Sequence, residues 1–398
     1  MTASERYDVA VIGAGLAGLR CAHLLGQSGM QVLLVDRKPS LPNSIHTTGI
    51  FVRRTLEDFA LPDDCLGPPV RRVTLYSPRR RALALEGKHD EFRVGRMGAL
   101  YQHYLDLCCE SGVEWLPATR FGGCEVRSRE LIVRLERGGN SRQVTTRYLV
   151  GADGANSRVA PILGLDTNRS WIVGAEEVFH HAVVDGPPQF HCFLDPKLAP
   201  GYLAWLVHDG EETHVGVAGY PQRFDPLASL QRFRAGLGDL LNLDHAELID
   251  RRGGRIPVGG ILRSIANRHG LLIGDAAGAV SPLTAGGLDP CMRLSTLAAS
   301  VIHRYLSGDE QALANYSGDR FRTRFVSRLW MRRVAAGVRH AWLLELGCLG
   351  LRLPIVSRFA RHVFFGRGSF PDVTTEVDAA ISDGPAGRHA AVFCGRAN

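Results

Sequence analysis

The chain has almost no lysine: of 47 basic residues only Lys38, Lys88 and Lys197 are lysine, the rest being arginine, and the net charge is +7. There is no lysine-rich tail and no basic run interleaved with aromatics, so no nucleic-acid groove is expected. An arginine bias of this kind is what a GC-rich genome produces. No C-x-x-C occurs, and the nine cysteines are odd in number, with Cys108 and Cys109 adjacent. That suits neither a disulfide framework nor a zinc site and points to a reducing cytoplasm. His180, His181 and His191 lack metal-ligand spacing, so no metal is expected either. No apolar stretch reaches the length of a bilayer span, and Glu5 and Asp8 ahead of a short apolar run do not make a signal peptide. At 398 residues, 45% hydrophobic and 22% charged, the chain reads as an ordinary globular protein. Two domains, or one large domain carrying an insertion, fit that length.

What is present begins at Tyr7. Tyr7 to Ile12 is a short apolar run rich in β-branched residues, which reads as a buried parallel strand. It runs into Gly13-Ala14-Gly15-Leu16-Ala17-Gly18 and then a helical pattern through Leu19, Ala22, Leu24 and Leu25. A second apolar run, Gln31 to Val35, ends on Asp36. Gly13 allows the tight turn, Gly15 lets the backbone approach a pyrophosphate, and Gly18 lets the helix pack closely on the strand. The helix N-terminus favours the diphosphate charge. Asp36, about twenty residues on, stands where a carboxylate accepts from ribose hydroxyls. Three glycines alone are weak evidence; strand, helix and terminal acid together mark a dinucleotide site.

Further on, 70–95 reads as strands joined by a basic turn, and a helix follows through Leu100, Tyr104, Leu105 and Leu107. Gly138-Gly139-Asn140 marks a hairpin between apolar runs. The chain then reaches Gly151-Ala152-Asp153-Gly154. Between about 166 and 254, alternation replaces helical spacing, as in Tyr202 to Val207 and Thr213 to Val217, which reads as an inserted antiparallel sheet. The α/β pattern returns at Gly270 to Gly278, followed by Pro282-Leu283-Thr284-Ala285-Gly286-Gly287-Leu288 and a helix. The expected architecture is α/β: a Rossmann-like dinucleotide-binding domain (1–165 and 255–320), an antiparallel β-sheet substrate domain (166–254) and a helical C-terminal part (321–398) with a loose tail. Segment 70–95 is expected to belong to the first domain and to contact the substrate sheet.

The fingerprint at 13–18, Gly151-Ala152-Asp153-Gly154 and Gly274-Asp275 with its Pro- and Gly-rich sequel stand in a fixed order. That set resembles the FAD-dependent oxidoreductases of the aromatic hydroxylase superfamily. Gly274-Asp275-Ala276-Ala277-Gly278 followed by Pro282-Leu283-Thr284 is most similar to the geranylgeranyl reductase family, over residues 5 to about 305. The resemblance implies FAD held by Gly13, Gly15, Ala17 and Gly18 at the diphosphate and by Asp36 and Arg37 at the ribose. It implies Arg96 reaching the cofactor, Ala118 beside the adenine, and Asp275 at the ribityl or diphosphate region. Thr48 and Gly49 would stand near the ring, with Gly286, Gly287 and Leu288 starting the helix that faces the flavin pyrimidine. A helix N-terminus there stabilises the negative charge of reduced flavin. Asp153 would shape the meeting place of cofactor and nicotinamide; as bare sequence it also reads as an Asp-Gly turn after a strand.

The chain departs from the family at three places. A Cys-Gly element near the ring is replaced by His46-Thr47-Thr48-Gly49, a loop glycine is replaced by Ala285, and a Tyr-x-Trp reads Leu203-Ala204-Trp205. Tyr202 is displaced by one position, which on a strand sends it to the opposite face. Trp205 and Tyr202 are the substrate-facing candidates, with that shift counting against Tyr202 and a plain core role open for Trp205. His46, Thr47 and Thr48 are the catalytic candidates, His46 as a proton carrier. Cys291 and Asp289 read as structural. Hydroxylases of the superfamily have histidine where Gly278 stands, and the Trp-x-Trp-x-Ile-Pro of flavin halogenases is absent.

Arginines 322, 324, 328, 332, 333 and 339 alternate with Phe325, Leu329, Trp330 and Val334, ahead of an apolar stretch at 341–356. Two roles stay open for 321–356: peripheral contact with the inner face of a membrane, or a solvated face packed on the FAD domain. The expected reaction is reduction of a carbon–carbon double bond in an apolar, isoprenoid-like substrate. A monooxygenase is the alternative, and a flavin-binding protein without turnover the third. The reductant is expected to be NAD(P)H or another external donor meeting the flavin transiently, because no second dinucleotide fingerprint exists.

Overall fold

The computed structural model describes residues 5–43, 45–322 and 325–365. The first apolar run is the strand Arg6–Ile12, at the centre of a parallel sheet. Val32–Val35 lies on one side of it, in register from Val9↔Val32 to Ile12↔Val35. The C-terminal half of Asn140–Gly151 lies on the other side, ending at Ile12↔Gly151. Glu114–Leu116 and Gly270–Leu272 extend the two flanks, also in parallel. The chain therefore leaves the first strand towards one edge and returns on the opposite side. Open α/β sheets hold ligands at such a reversal, beyond the carboxyl ends of the two diverging strands. Val9, Ala10 and Val11 are completely buried, because a parallel sheet is covered on both faces and its strands read as unbroken apolar runs. The helices Leu16–Gln27, Met97–Glu110 and Leu288–Leu306 provide cover and pack on one another.

The Gly138-Gly139 turn closes a hairpin between Glu130–Arg137 and Asn140–Gly151. Both glycines have positive φ, +56° and +83°, the backbone that a tight hairpin turn of the I′ type demands. Arg120–Arg127 adds a further antiparallel strand.

The change of texture near 166 is a second sheet of seven strands. Their order is Glu247–Pro257, Trp171–His180, Glu212–Gly219, Ala204–His208, Gln189–Phe193, Arg72–Tyr76 and Ala82–Glu86. Neighbours are antiparallel except Gln189–Phe193 and Arg72–Tyr76, which run parallel. Segment 70–95 thus supplies two hydrogen-bonded strands of this sheet, and Glu247–Pro257 continues past 254. Residues directly opposite in a ladder share a face. One row crosses the sheet as Arg252, Glu176, Gly216, Trp205, Cys192 and Leu75.

The C-terminal part is helical where described: Gly318–Arg322, Val326–Gly337, Ala341–Gly350 and Pro354–Phe365. Pro354 opens the last helix, where its missing N–H costs nothing. Arg324 and the tail from 371 lie outside the described residues.

Candidate active site

A cavity of about 1250 Å³ opens where the two central parallel strands diverge and continues beneath the second sheet to the C-terminal helices. Its first part is built by the glycine turn. Gly13 has φ +105°, and a Cβ there would stand 2.2 Å from the Ala152 carbonyl oxygen. A Cβ on Gly18 would meet the Gly13 oxygen at 1.9 Å, so this glycine sets the approach of helix to strand. Gly15 caps the helix Leu16–Gln27, lines the cavity, and has nothing within 4 Å of where its Cβ would be. That is open space at a helix N-terminus, as a diphosphate requires. Asp36 lines the same wall and accepts from the Ala14 N–H at 2.7 Å and the Lys38 N–H at 2.9 Å. A carboxylate has lone pairs left over for a ribose. Ala17 and Arg37 also line the cavity.

Asp153 accepts from the Arg158 N–H at 2.6 Å and the Val159 N–H at 3.2 Å, so part of its role is to cap a turn. Its other oxygen, Oδ1, is buried without a partner, and burial raises its acid pKa. Asp275 faces the cleft from the opposite strand end, and burial alone pushes its carboxyl up to about 6. Gly286, Gly287 and Leu288 line the cavity at the N-terminus of Leu288–Leu306. An open glycine cradle, a buried oxygen without a partner and a helix start aimed at the same space fit FAD. Ala285 holds φ +52°; the loop keeps the left-handed backbone that favours glycine even though the residue has changed. Gly278 has φ +69°, and a Cβ would lie 2.6 Å from the Gly260 oxygen, so histidine has no room there.

Two residues expected at the cofactor, Arg96 and Ala118, are not among those that line the cavity. Arg96 does not line the cavity: its guanidinium pairs with Glu211 at 2.9 Å and donates to the Asp64 carbonyl at 3.2 Å. Its Nε is buried without a partner. Ala118 is also not among the cavity walls. It sits at φ +52° with its N–H on the Lys38 carbonyl at 3.0 Å, and its neighbours Thr119, Arg120 and Phe121 take the wall instead.

His46, Thr47, Thr48 and Gly49 line the cavity opposite the Gly286–Leu288 turn. Burial, then the charges of Lys38 and Arg37, lower the His46 pKa below the ordinary histidine value. Thr48 donates a short hydrogen bond to Glu176, a residue the sequence did not single out. Trp205 donates to the same carboxylate at 3.0 Å, reaching across Gly216. Arg252 pairs with it at 3.5 Å and donates to the Thr47 carbonyl at 3.2 Å. Behind it lies His214, only 1% exposed, with Nδ1 at 3.3 Å from Glu176 and Nε2 at 3.3 Å from Asp209. The two carboxylates outweigh burial and raise its pKa to about 9, while both acids are held below the usual carboxylate range. Glu212, Asp209 and His214 also bring ligand-type atoms within 4.8 Å of one another. Because both imidazole nitrogens already face carboxylates, we read the trio as an ion-paired cluster.

Tyr202 does line the cavity. It stands in the turn before Ala204–His208, so strand alternation does not govern it. Its hydroxyl donates to the Thr284 carbonyl at 2.6 Å, and Arg332 lies over its ring at 5.1 Å. Beyond Trp205 the lining turns apolar through Val73, Leu75, Phe190 and Phe92, closed off by Leu351, Phe364 and Phe365. Cys291 also reaches the cavity, whereas Asp289 is tied to Thr55 at 2.9 Å and Arg293 at 2.9 Å.

Residues 7–185 match the pyridine nucleotide-disulphide oxidoreductase family model. The chain is 22% identical over 327 residues to a digeranylgeranylglycerophospholipid reductase of Methanocella arvoryzae, covering 79% of this chain and 83% of that one. A geranylgeranyl bacteriochlorophyll reductase-like protein from Thermoplasma acidophilum superposes with a TM-score of 0.74 at 18% identity, over 98% of this chain and 99% of that one. A p-nitrophenol 4-monooxygenase of Pseudomonas putida superposes with a TM-score of 0.66 at 15% identity, over 95% and 98% of the two chains. Relatives of both reaction types share this fold, and fold alone does not choose between them.

Proposed function

We propose that this chain, an FAD-dependent oxidoreductase similar to the geranylgeranyl reductases, reduces carbon–carbon double bonds in the isoprenoid chains of a lipid. Reduced FAD supplies the hydride; NAD(P)H or another external donor supplies the electrons. The observation that carries the reading is the continuity of the cavity. The space that fits a dinucleotide passes the polar row at Thr48, Glu176 and Trp205 and ends in an apolar chamber lined by Leu75, Phe190 and Phe364. A long unsaturated chain can enter that chamber while one of its double bonds lies beside the polar end.

The outer surface supports a lipid source. On the C-terminal helices Trp342 is 60% exposed and Ile355 83% exposed, with Trp330, Leu346 and Leu353 also outside. The same helices turn Met331, Leu344 and Phe364 towards the cavity. Exposed tryptophans with arginine alongside suit the headgroup boundary of an anionic bilayer, and Arg333 lies over Trp330 at 5.6 Å. No described helix is long and apolar enough to cross a membrane, so the contact we propose is peripheral. A second reading is a monooxygenase acting on a small organic substrate, favoured by Thr48 standing where the reductases it resembles have cysteine.

The deciding experiment loads the protein with FAD, reduces it, and offers digeranylgeranylglycerophospholipid without oxygen. Flavin reoxidation with a gain of two hydrogens per double bond supports the reductase. A product carrying one extra oxygen, formed only in air, supports the monooxygenase. A protein that stays colourless when FAD is offered overturns both.

A further inference from the structure

We propose that Arg328 and Arg332, on the helix Val326–Gly337, form the site that holds the phosphate of the lipid headgroup while the isoprenoid chain lies in the apolar chamber. The inference rests on the reductase reading and adds to it a place for the anionic end of the substrate. A phosphate brought out of water into a cavity needs cations and N–H donors in place of its hydration.

The fold sorts the arginines of this helix. Arg333 is exposed and lies over the exposed Trp330 at 5.6 Å. Arg328 and Arg332, one turn apart, line the cavity instead, with Met331 and Ala335. Arg332 is 3% exposed. Its guanidinium lies over two aromatic rings, at 5.1 Å from Tyr202 and 5.0 Å from Tyr220, and its Nε donates to the Tyr220 hydroxyl at 3.1 Å. Its Nη2 is buried without a partner. Arg328 donates from Nη1 to the Ser281 hydroxyl at 2.9 Å, and burial lowers its pKa. Among the described residues no carboxylate is bonded to either arginine. The negative charge that reaches Arg328 is that of Asp289, which already holds Thr55 and Arg293.

Two such cations are costly as they stand. A buried charge needs a counter-charge, and like charges at i and i+4 on a helix repel. Aromatic faces and hydroxyls offset part of this but carry no negative charge. An oxygen anion bound at this wall supplies it and gives Nη2 an acceptor. A guanidinium fixed by two rings and a hydroxyl holds its fork ready, so little freedom is lost when it meets phosphate oxygens. The position suits a headgroup as well. Ser281 ties Arg328, and Tyr202 through Thr284 ties Arg332, to the loop before the helix Leu288–Leu306. Trp205 packs with Tyr202, Tyr220 and Ala285 in one apolar cluster and with Leu75, Phe190 and Phe364 in another. An amphiphile laid past Trp205 therefore has arginine at one end and apolar side chains at the other.

The test compares geranylgeranyl phosphate with uncharged geranylgeraniol on the oxidised, FAD-loaded protein, affinities being read from tryptophan fluorescence. Wild type should bind the phosphate about 10-fold or more tightly, the worth of a hydrogen bond to a charged group. Arg332→Gln and Arg328→Gln should each remove most of that preference while binding geranylgeraniol as wild type does, and Arg332→Lys should keep part of it. When reduced protein is reoxidised by digeranylgeranylglycerophospholipid without oxygen, Arg332→Gln should raise KM about 10-fold, the loss falling on KM more than on kcat. Equal affinity of wild type for the two probes overturns the site, and so does an equal loss for both probes in Arg332→Gln. Inorganic phosphate that raises the melting temperature of wild type as far as geranylgeranyl phosphate does makes this a site for a free anion and overturns the headgroup assignment. Lipid-driven reoxidation at the wild-type KM in both glutamine variants overturns the site and leaves the reductase reading intact. An Arg332-dependent preference for geranylgeranyl phosphate in a protein whose reduced flavin the lipid never reoxidises overturns the reductase reading and leaves the anion site standing.

Discussion

Substituting Gly216 by alanine tests the sheet face that connects Trp205 with Glu176. A Cβ at Gly216 would lie 2.2 Å from the Trp205 ring carbons Cε2 and Cζ2. Ordinary contact begins near 3.4 Å, so the ring must give by about 1.2 Å. Trp205 is a broad, planar side chain held in a sheet, so it must leave its rotamer or the strands must part. Overpacking of this kind costs about 1–3 kcal/mol. The displaced indole also loses its 3.0 Å bond to Glu176; hydrogen bonds to charged groups are worth about 1.5–3 kcal/mol. Because Glu176 keeps Thr48, His214 and Arg252, the lower end applies, and the total is about 2.5–4.5 kcal/mol. At about 2–4 °C per kcal/mol for larger domains, Gly216→Ala should melt several degrees below wild type. Bound flavin should remain, because the glycine turn is untouched, while affinity for the lipid falls. Trp205→Phe removes the N–H and should lose the bond's share alone, so the two substitutions should be markedly non-additive. A Gly216→Ala protein that melts within a degree of wild type and binds lipid equally well would refute the packing described for this row.

Gly13→Ala should abolish FAD binding, read as loss of yellow colour after purification, because its Cβ meets the Ala152 carbonyl at 2.2 Å in a left-handed backbone. Asp275 has a folded pKa of about 6 against 3.8. A raised folded value stabilises below the ordinary pKa, and that contribution is lost as pH rises through about 6. FAD-free Asp275→Asn should therefore be more stable than FAD-free wild type at pH 8, with the difference shrinking towards pH 4; an equal gap at both pH values refutes the burial argument. Replacing Trp342 and Ile355 by serine should weaken sedimentation with anionic vesicles at low salt while leaving flavin content unchanged. Vesicle binding equal to wild type would remove these helices from any membrane face.

Much of the cofactor end was legible along the chain. The unbroken apolar run at Val9 to Ile12, the glycines at 13, 15 and 18 and the terminal Asp36 are local signals, since a turn, a close approach and a strand end each leave their own residue types. The Gly138-Gly139 hairpin is local in the same way. A strand period turns Tyr202 away from the cavity, but the residue sits in the preceding turn, where that period does not apply.

The polar centre was not legible. Glu176, His214, Asp209 and Arg252 are scattered over nearly eighty residues, and each is unremarkable within its own segment. A pair of acids in the apolar run Trp171–His180 was the one available hint, since buried carboxylates require partners. Ladder register then separates them: Glu176 faces the cavity, while Glu177 pairs with Arg234 at 2.6 Å. Arg96 is similar, for this helix-start arginine pairs with Glu211, which the chain brings in from the second sheet. The sequence by itself determined where the backbone turns and where a dinucleotide can approach, because those depend on nearest neighbours. Which charges meet across the sheet was decided only by tertiary structure, because register and strand order set those distances.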